Sequence, residues 1–162
     1  PTSRLFFHPH HGIRYVERSG GLGDVYKRQM FRYNPVHRGA EDDIFPHLPV
    51  SAVGRPLVAT YTSTRWGHLL DPKKMPDGES PVSARDCYRY ALSHPEVDMV
   101  IAGPGNAEQL EEAISALRAG PLDEEERARI ERIGRHLYER YAPQYPDAGD
   151  TKDVEEGRAK GQ

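Results

Sequence analysis

Val97 to Leu117, VDMVIAGPGNAEQLEEAISAL, sets a short apolar run, a Gly-Pro-Gly turn and a stretch of helical spacing in the order that can hold a phosphate. Val97, Met99, Val100, Ile101 and Ala102 read as a buried strand of the parallel-sheet kind. Gly103, Pro104 and Gly105 end it. Asn106 suits an N-cap, and Gln109 three residues on completes a capping box for a helix whose apolar stripe is expected at Leu110, Ile114 and Leu117. The free N–H groups of that first turn, with the positive end of the helix dipole, attract an anion just beyond the strand. The same residues also suit any strand-to-helix connection, so the turn alone leaves both readings open.

Other reactive residue types lack the spacing that chemistry needs. His8, His10 and His11 in HPHHG have no Cys or acidic partners at a fixed interval, and no metal site is assigned. The GGLG at 20–23 has no strand before it and no helical pattern after it, so it is not read as a nucleotide loop. Cys87 is the single cysteine, which excludes an internal disulfide and any multi-cysteine metal centre. It falls inside an expected helix and reads as a structural thiol.

The elements that must position the Gly-Pro-Gly turn alternate. MFRY from Met30 is a short strand, NPVHRG is turn chemistry, and Ala40 to His47 suits a short helix. Pro56 to Thr62 is a second buried strand. After a loop rich in Gly, Pro and Lys, Ser80 caps and Pro81 opens a helix expected to reach about Ser93, ended by His94-Pro95. Asp123 and Glu126 make another capping box, and Ile130, Ile133, Leu137 and Tyr141 recur at helical spacing. Beyond Pro143 there is almost nothing to bury, and residues 143–162 read as a flexible tail. Strands alternating with helices imply an α/β fold with a parallel sheet. Three strands cannot close a barrel, so the chain reads as part of something larger.

Composition bounds the partners. The chain has 162 residues, 36% hydrophobic and 29% charged, the size and balance of one globular domain. A formal charge of -3 leaves no basic excess, which argues against nucleic acid or an anionic membrane and for a small-molecule ligand. No apolar run approaches a membrane span and residues 1–18 lack a signal-peptide core, so a cytoplasmic location is expected.

Four separated pieces, in order, carry a family likeness: MFRYNPVHRGAEDDIFPHL, RPLVATYTSTRWGHLL, PVSARDCYRYALSHPEVDMVIAGPGNAEQLEEAI and GPLDEEERARIERIGRHLYE. Together they resemble the C-terminal part of the aldo/keto reductase family over residues 30 to about 141. The resemblance implies a partial (β/α)8 TIM barrel, its last three β/α units plus a C-terminal helix, within residues 30–142. It also implies a cofactor, NADPH, with NADH as the alternative, and a small-molecule carbonyl substrate for the intact parent.

Carried over by position, Tyr61 falls where the family places an aromatic ring against the nicotinamide. Thr62, Ser63 and Thr64 fall in the pyrophosphate loop, which Arg65, Trp66 and Gly67 continue; for Arg65 and Trp66, ordinary loop packing stands beside cofactor contact. Gly103, Pro104 and Gly105 match the loop beside the adenosine phosphate, and Gln109 and Glu112 match polar contacts to adenosine. Gly105 and Ala113 depart from the Ser or basic residue and the Asn common in relatives, which keeps NADH open. Asn34, Arg38 and Glu41 resemble the loop after the sixth strand, with Arg38 and Glu41 expected as a structural pair.

The family's catalytic Asp, Tyr, Lys and His come from earlier strands, and nothing before Met30 resembles those strands. No catalytic residue is assigned, neither Tyr15 nor His8 filling the gap. Asp24-Val25-Tyr26-Lys27-Arg28-Gln29 is encodable by GATGTGTATAAGAGACAG, a transposon end used in sequencing-library adapters, so residues 1–29 read as an assembly artefact or disordered segment. The expectation is a reductase fragment without its catalytic tetrad, prone to oligomerise alone. The alternative is a non-catalytic dinucleotide-binding or interaction module related to the reductases.

Overall fold

The computed structural model describes residues 4–7, 28–50 and 55–141. His8, His10 and His11, the GGLG, residues 24–27 of the adapter-like hexapeptide and the expected tail at 143–162 lie outside the described residues.

Strands β1 (Arg4–Phe7), β2 (Arg28–Arg32), β3 (Leu57–Tyr61) and β4 (Met99–Ala102) form a four-stranded sheet in the order β1-β4-β3-β2. Every pairing is parallel. The fourth strand corrects the expectation of three: β1 lies beside β4 with Arg4 opposite Met99, inside the stretch 1–29 that reads from sequence as an artefact or disordered segment. β2 likewise begins at Arg28, two residues before the expected start, with Arg28 and Gln29 opposite Leu57 and Val58. At a sheet edge the ladder needs only backbone groups, so polar residues can extend it.

Helices cover one face. α1 (Ala40–Asp43) and a 3-10 turn over Phe45–His47 cross from β2 to β3, and α2 (Ala84–Leu92) crosses from β3 to β4. α3 (Ala107–Ala119) follows β4 and packs on α2 and β1, and α4 (Glu124–Tyr141) closes the described chain. Val58, Thr60, Val100 and Ala102, alternating along β3 and β4, are buried on the covered face. Above them Tyr33 meets Phe45 edge-on at 5.3 Å, and His94 stacks on Phe45 at 4.0 Å.

Two helices differ from their sequence reading. α2 is capped by Ser83, whose hydroxyl accepts from Asp86 N at 3.0 Å, and Ser80-Pro81 stays outside it. Val82 N donates to Leu69 O, and that tertiary bond holds the chain extended for one more turn. On α3 the buried pair is Ala113 and Ala116, while Leu110 and Ile114 are half-buried and Leu117 is 42% exposed. Small residues let α2 and α3 approach closely, and the larger apolar side chains flank that contact. α4 matches expectation: Glu126 N donates to Asp123 Oδ1, Asp123 N donates to Glu126 Oε2, and Ile130, Ile133 and Leu137 are buried.

Arg89 joins α2 to α4. Its guanidinium donates to both Glu126 oxygens at 2.9 and 2.8 Å, to Asp86, and to the carbonyls of Gly120 and Pro121. Farther along, α4 lies so close to the loop after β2 that a Cβ on Gly134 would stand 2.2 Å from the Pro35 carbonyl oxygen. Gly134→Ala gains about 1 kcal/mol of helix propensity and loses about 3 kcal/mol to overpacking, so the net effect is destabilising. The melting temperature should fall by roughly 5 °C, and an unchanged or higher value contradicts this packing.

Candidate functional site

Because β3 and β4 run parallel, with Thr60 opposite Val100, the loop after Tyr61 and the turn after Ala102 leave the same edge of the sheet. Ligands of parallel α/β folds bind at that edge, because the first turns of the following helices point their N–H groups there.

The loop after β3 is strained. Thr62 (φ 61), Arg65 (φ 48) and Trp66 (φ 53) all adopt the left-handed region, followed by Gly67 at φ 83. For residues with a side chain this costs about 1 kcal/mol or more each, and it persists only where the surroundings impose it. Here Asn34 Nδ2 donates to Thr62 O at 2.9 Å, Arg65 N to Thr62 O at 2.9 Å and Gly67 N to Thr64 O at 3.1 Å. Arg65 points inward: it is fully buried, with Nε 3.3 Å from His37 Nε2 and Nη1 3.3 Å from His68 Nδ1. That is the packing arrangement. Tyr61 and Trp66 face out, 39% and 58% exposed, with the Arg32 guanidinium 5.8 Å from the Trp66 ring. Ser63 is 2% exposed, and its hydroxyl oxygen has no hydrogen-bond partner among the described residues.

At the turn after β4, Asn106 Oδ1 accepts from Gln109 N at 2.9 Å. Gln109 Oε1 reaches one residue beyond the usual capping box and accepts from Gly105 N at 2.7 Å. Two N–H groups are thereby taken within the chain, leaving those of Ala107 and Glu108, which have no intrahelical partner by position, for an anion. Around Gly103 there is open space where a side chain would lie. Glu112 is turned toward α2, where Oε1 accepts from Ala84 N at 3.0 Å and Arg85 N at 3.3 Å. Its charge suits that helix N-terminus.

Supporting groups lie behind the loops. Arg38 pairs with Glu41 at 2.7 Å, as expected, and also with Glu131 of α4 at 3.1 Å. Burial works against the Glu41 charge, but Arg38 and the Tyr33 hydroxyl, which donates at 2.7 Å, hold its carboxyl below the ordinary range. Cys87 is fully buried, and that burial pushes its thiol well up, away from nucleophilic use. No group of three or more His, Cys, Asp or Glu among the described residues could hold a metal ion. At the opposite ends of the strands, Arg55 is bonded to Glu96 and Asp98, whose Oδ2 also accepts from Val58 N: a clamp between β3 and β4.

The sequence did not single out Arg32, His37 or His68. A His joined to a buried Arg across 28 positions leaves no periodic signal, and only the fold brings them together.

Residues 79–135, which hold α2, β4, α3 and most of α4, match the sequence model of the aldo/keto reductase family. The resemblance named above is thus shown for that segment. The holo form of the aldo-keto reductase AKR11C1 from Bacillus halodurans is similar over 64% of this chain and 41% of its own, at 22% identity and a TM-score of 0.48. Its apo form is similar over 64% and 42%, at 22% identity and a TM-score of 0.47. The chain therefore spans about two fifths of the length of those structures. No curated protein matches it. No helix among the described residues is long and apolar enough to cross a membrane.

His68 and His94 are both held below the ordinary 6.5, His68 by burial and then by Lys74 and Arg65, His94 by burial and then by Arg127, with Glu41 opposing. Above that value both are neutral in either state. As pH falls through it, the unfolded chain takes protons first, so stability drops until the folded values are reached. The denaturant midpoint should fall between pH of about 7.5 and about 5.5, less steeply in His94→Asn. A midpoint that is flat or rises on acidification contradicts these environments.

Proposed function

We propose that this chain is the cofactor-holding C-terminal part of an NADPH-dependent aldo/keto reductase, the last three β/α units of its (β/α)8 barrel with the following helix. One observation carries the reading. The strained Thr62–Gly67 loop encloses the buried Ser63 hydroxyl, unpartnered among the described residues, at the same sheet edge as the open Gly103–Asn106 turn. A buried hydroxyl left without a partner costs about 1–3 kcal/mol, which a phosphate oxygen would recover.

The residues present fit a dinucleotide. Exposed Tyr61 offers its ring to the nicotinamide, and Ser63 with the backbone of Thr62 and Thr64 offers donors to the pyrophosphate. Gly103, Pro104 and the first turn of α3 receive the adenosine end, where Gln109 either keeps its bond to Gly105 or exchanges it for the ligand. Arg65 and Glu112 act from inside, one bracing the loop against His37 and His68, the other holding α2. Gly105 brings no side chain toward a ribose phosphate, so NADH remains a second ligand of the same site. The cofactor supplies hydride for reducing an aldehyde or ketone in the intact parent. No residue of this chain is given the proton-donating role.

Titrating the full chain with NADPH while following Trp66, its single tryptophan, tests the reading. Fluorescence should be quenched and the melting temperature raised. Ser63→Ala should weaken binding about tenfold, the value of one hydrogen bond to a charged group. Unchanged fluorescence and melting in a folded sample would contradict the site.

A further inference from the structure

We propose that Arg65 and the two histidines that receive it form an acid-sensitive latch on the Thr62–Gly67 loop, closed while both imidazoles are neutral and released when either takes a proton. A guanidinium has hydrogens to give and no lone pair to accept with. Arg65 Nε lies 3.3 Å from His37 Nε2 and Nη1 lies 3.3 Å from His68 Nδ1, so both ring nitrogens act as acceptors and must be bare. The arginine therefore fixes two tautomers: His37 carries its hydrogen on Nδ1 and His68 on Nε2. A proton at either acceptor removes a hydrogen bond and sets a second cation against the guanidinium. Arg65 is fully buried and His37 and His68 are each 9% exposed, so water screens that repulsion poorly.

What the latch holds is a strained segment. Thr62, Arg65 and Trp66 all keep positive φ, and of these Arg65 is the side chain that runs from the loop into the interior. Its two acceptors come from different places: His37 from the turn after β2, and His68 from a 3-10 turn (His68–Leu70) that packs against α4. The surroundings oppose a second charge. Burial, Lys74 and Arg65 all work against a proton on His68, with Asp71 favouring one, and Tyr141 of α4 meets the His68 ring edge-on at 6.5 Å. Arg65 faces His37 directly, while Arg38 beside it in the chain is turned to Glu41 and Glu131. An opened loop takes protons first, near the ordinary value of about 6.5, so closure weakens as pH falls below it. On the reading that this loop carries the pyrophosphate, acid then lowers the affinity for the dinucleotide, but the latch itself is testable without a ligand.

Amide exchange of the full chain without ligand, corrected for the intrinsic effect of pH, reads the latch at Arg65, Gly67 and His68, whose N–H groups bond to carbonyls of the loop. Protection there should fall at least about tenfold between pH of about 8 and about 5.5, and by more than at Ile130 to Leu137 of α4. In a His37→Gln, His68→Asn double variant, amide oxygens replace the two ring nitrogens as acceptors that do not titrate, and loop protection should be equal at both pH values. Should that variant not fold, nitrogen NMR of the imidazoles in the unaltered chain decides: at pH of about 8, His37 must show a bare Nε2 and His68 a bare Nδ1. Loop protection indifferent to pH, a loss that the double variant shares, or the opposite tautomer at either ring overturns the proposal. A loop that loosens in acid in a chain that binds no NADPH at any pH supports the latch and removes the cofactor reading instead.

Discussion

Asn34 uses both ends of its amide. The oxygen accepts from Val36 N and His37 N at 2.9 Å and the nitrogen donates to Thr62 O at 2.9 Å, all with the residue fully buried. Each bond adds about 1 kcal/mol net, and losing the amide would cost more at the buried Val36 N, because His37 N also donates to Asn34 O and Thr62 O also accepts from Arg65 N. The turn it shapes reaches in three directions. Pro35 meets Gly134 of α4, His37 meets Arg65, and Thr62 is held in a conformation its side chain disfavours. The candidate site therefore depends on a contact between the ends of two strands, and α4 braces it from behind.

That dependence explains the uneven legibility of the sequence. α4 was readable because Asp123, Glu126 and the Ile130, Ile133, Leu137 repeat are local signals, and local geometry decides them. The β3 and β4 segments were readable because each is a short apolar and β-branched run bounded by Pro or Gly turn residues. The start of α2 was not, since Ser80 and Ser83 both suit a cap and the bond from Val82 to Leu69 chooses between them. Nor was the buried face of α3, where alanines replace the larger residues a hydrophobic stripe favours. Arg65 shows the limit most clearly. From sequence Arg65 stands equally between loop packing and cofactor contact, and only the arrival of His37 and His68 shows it buried in the interior.

The Gly-Pro-Gly turn was located correctly at the end of β4, yet its electrostatics are more modest than the motif suggests. Asn106 and Gln109 consume two of the N–H groups a phosphate would use. The stronger feature is the loop after β3, where backbone strain, an exposed Tyr61 and Trp66 and the buried Ser63 hydroxyl coincide. Rigid support below and exposed rings above is the division of labour expected where a flat ligand is held.

The account's central claim is that the two loops at the carboxyl edge of β3 and β4 act as one dinucleotide site. Hydrogen exchange of the full chain with and without NADPH tests it most directly. Slowed exchange in residues 62–67 and 103–109 together is the predicted result. Protection at only one loop, at neither, or at the Arg55 and Asp98 end of the sheet would contradict it.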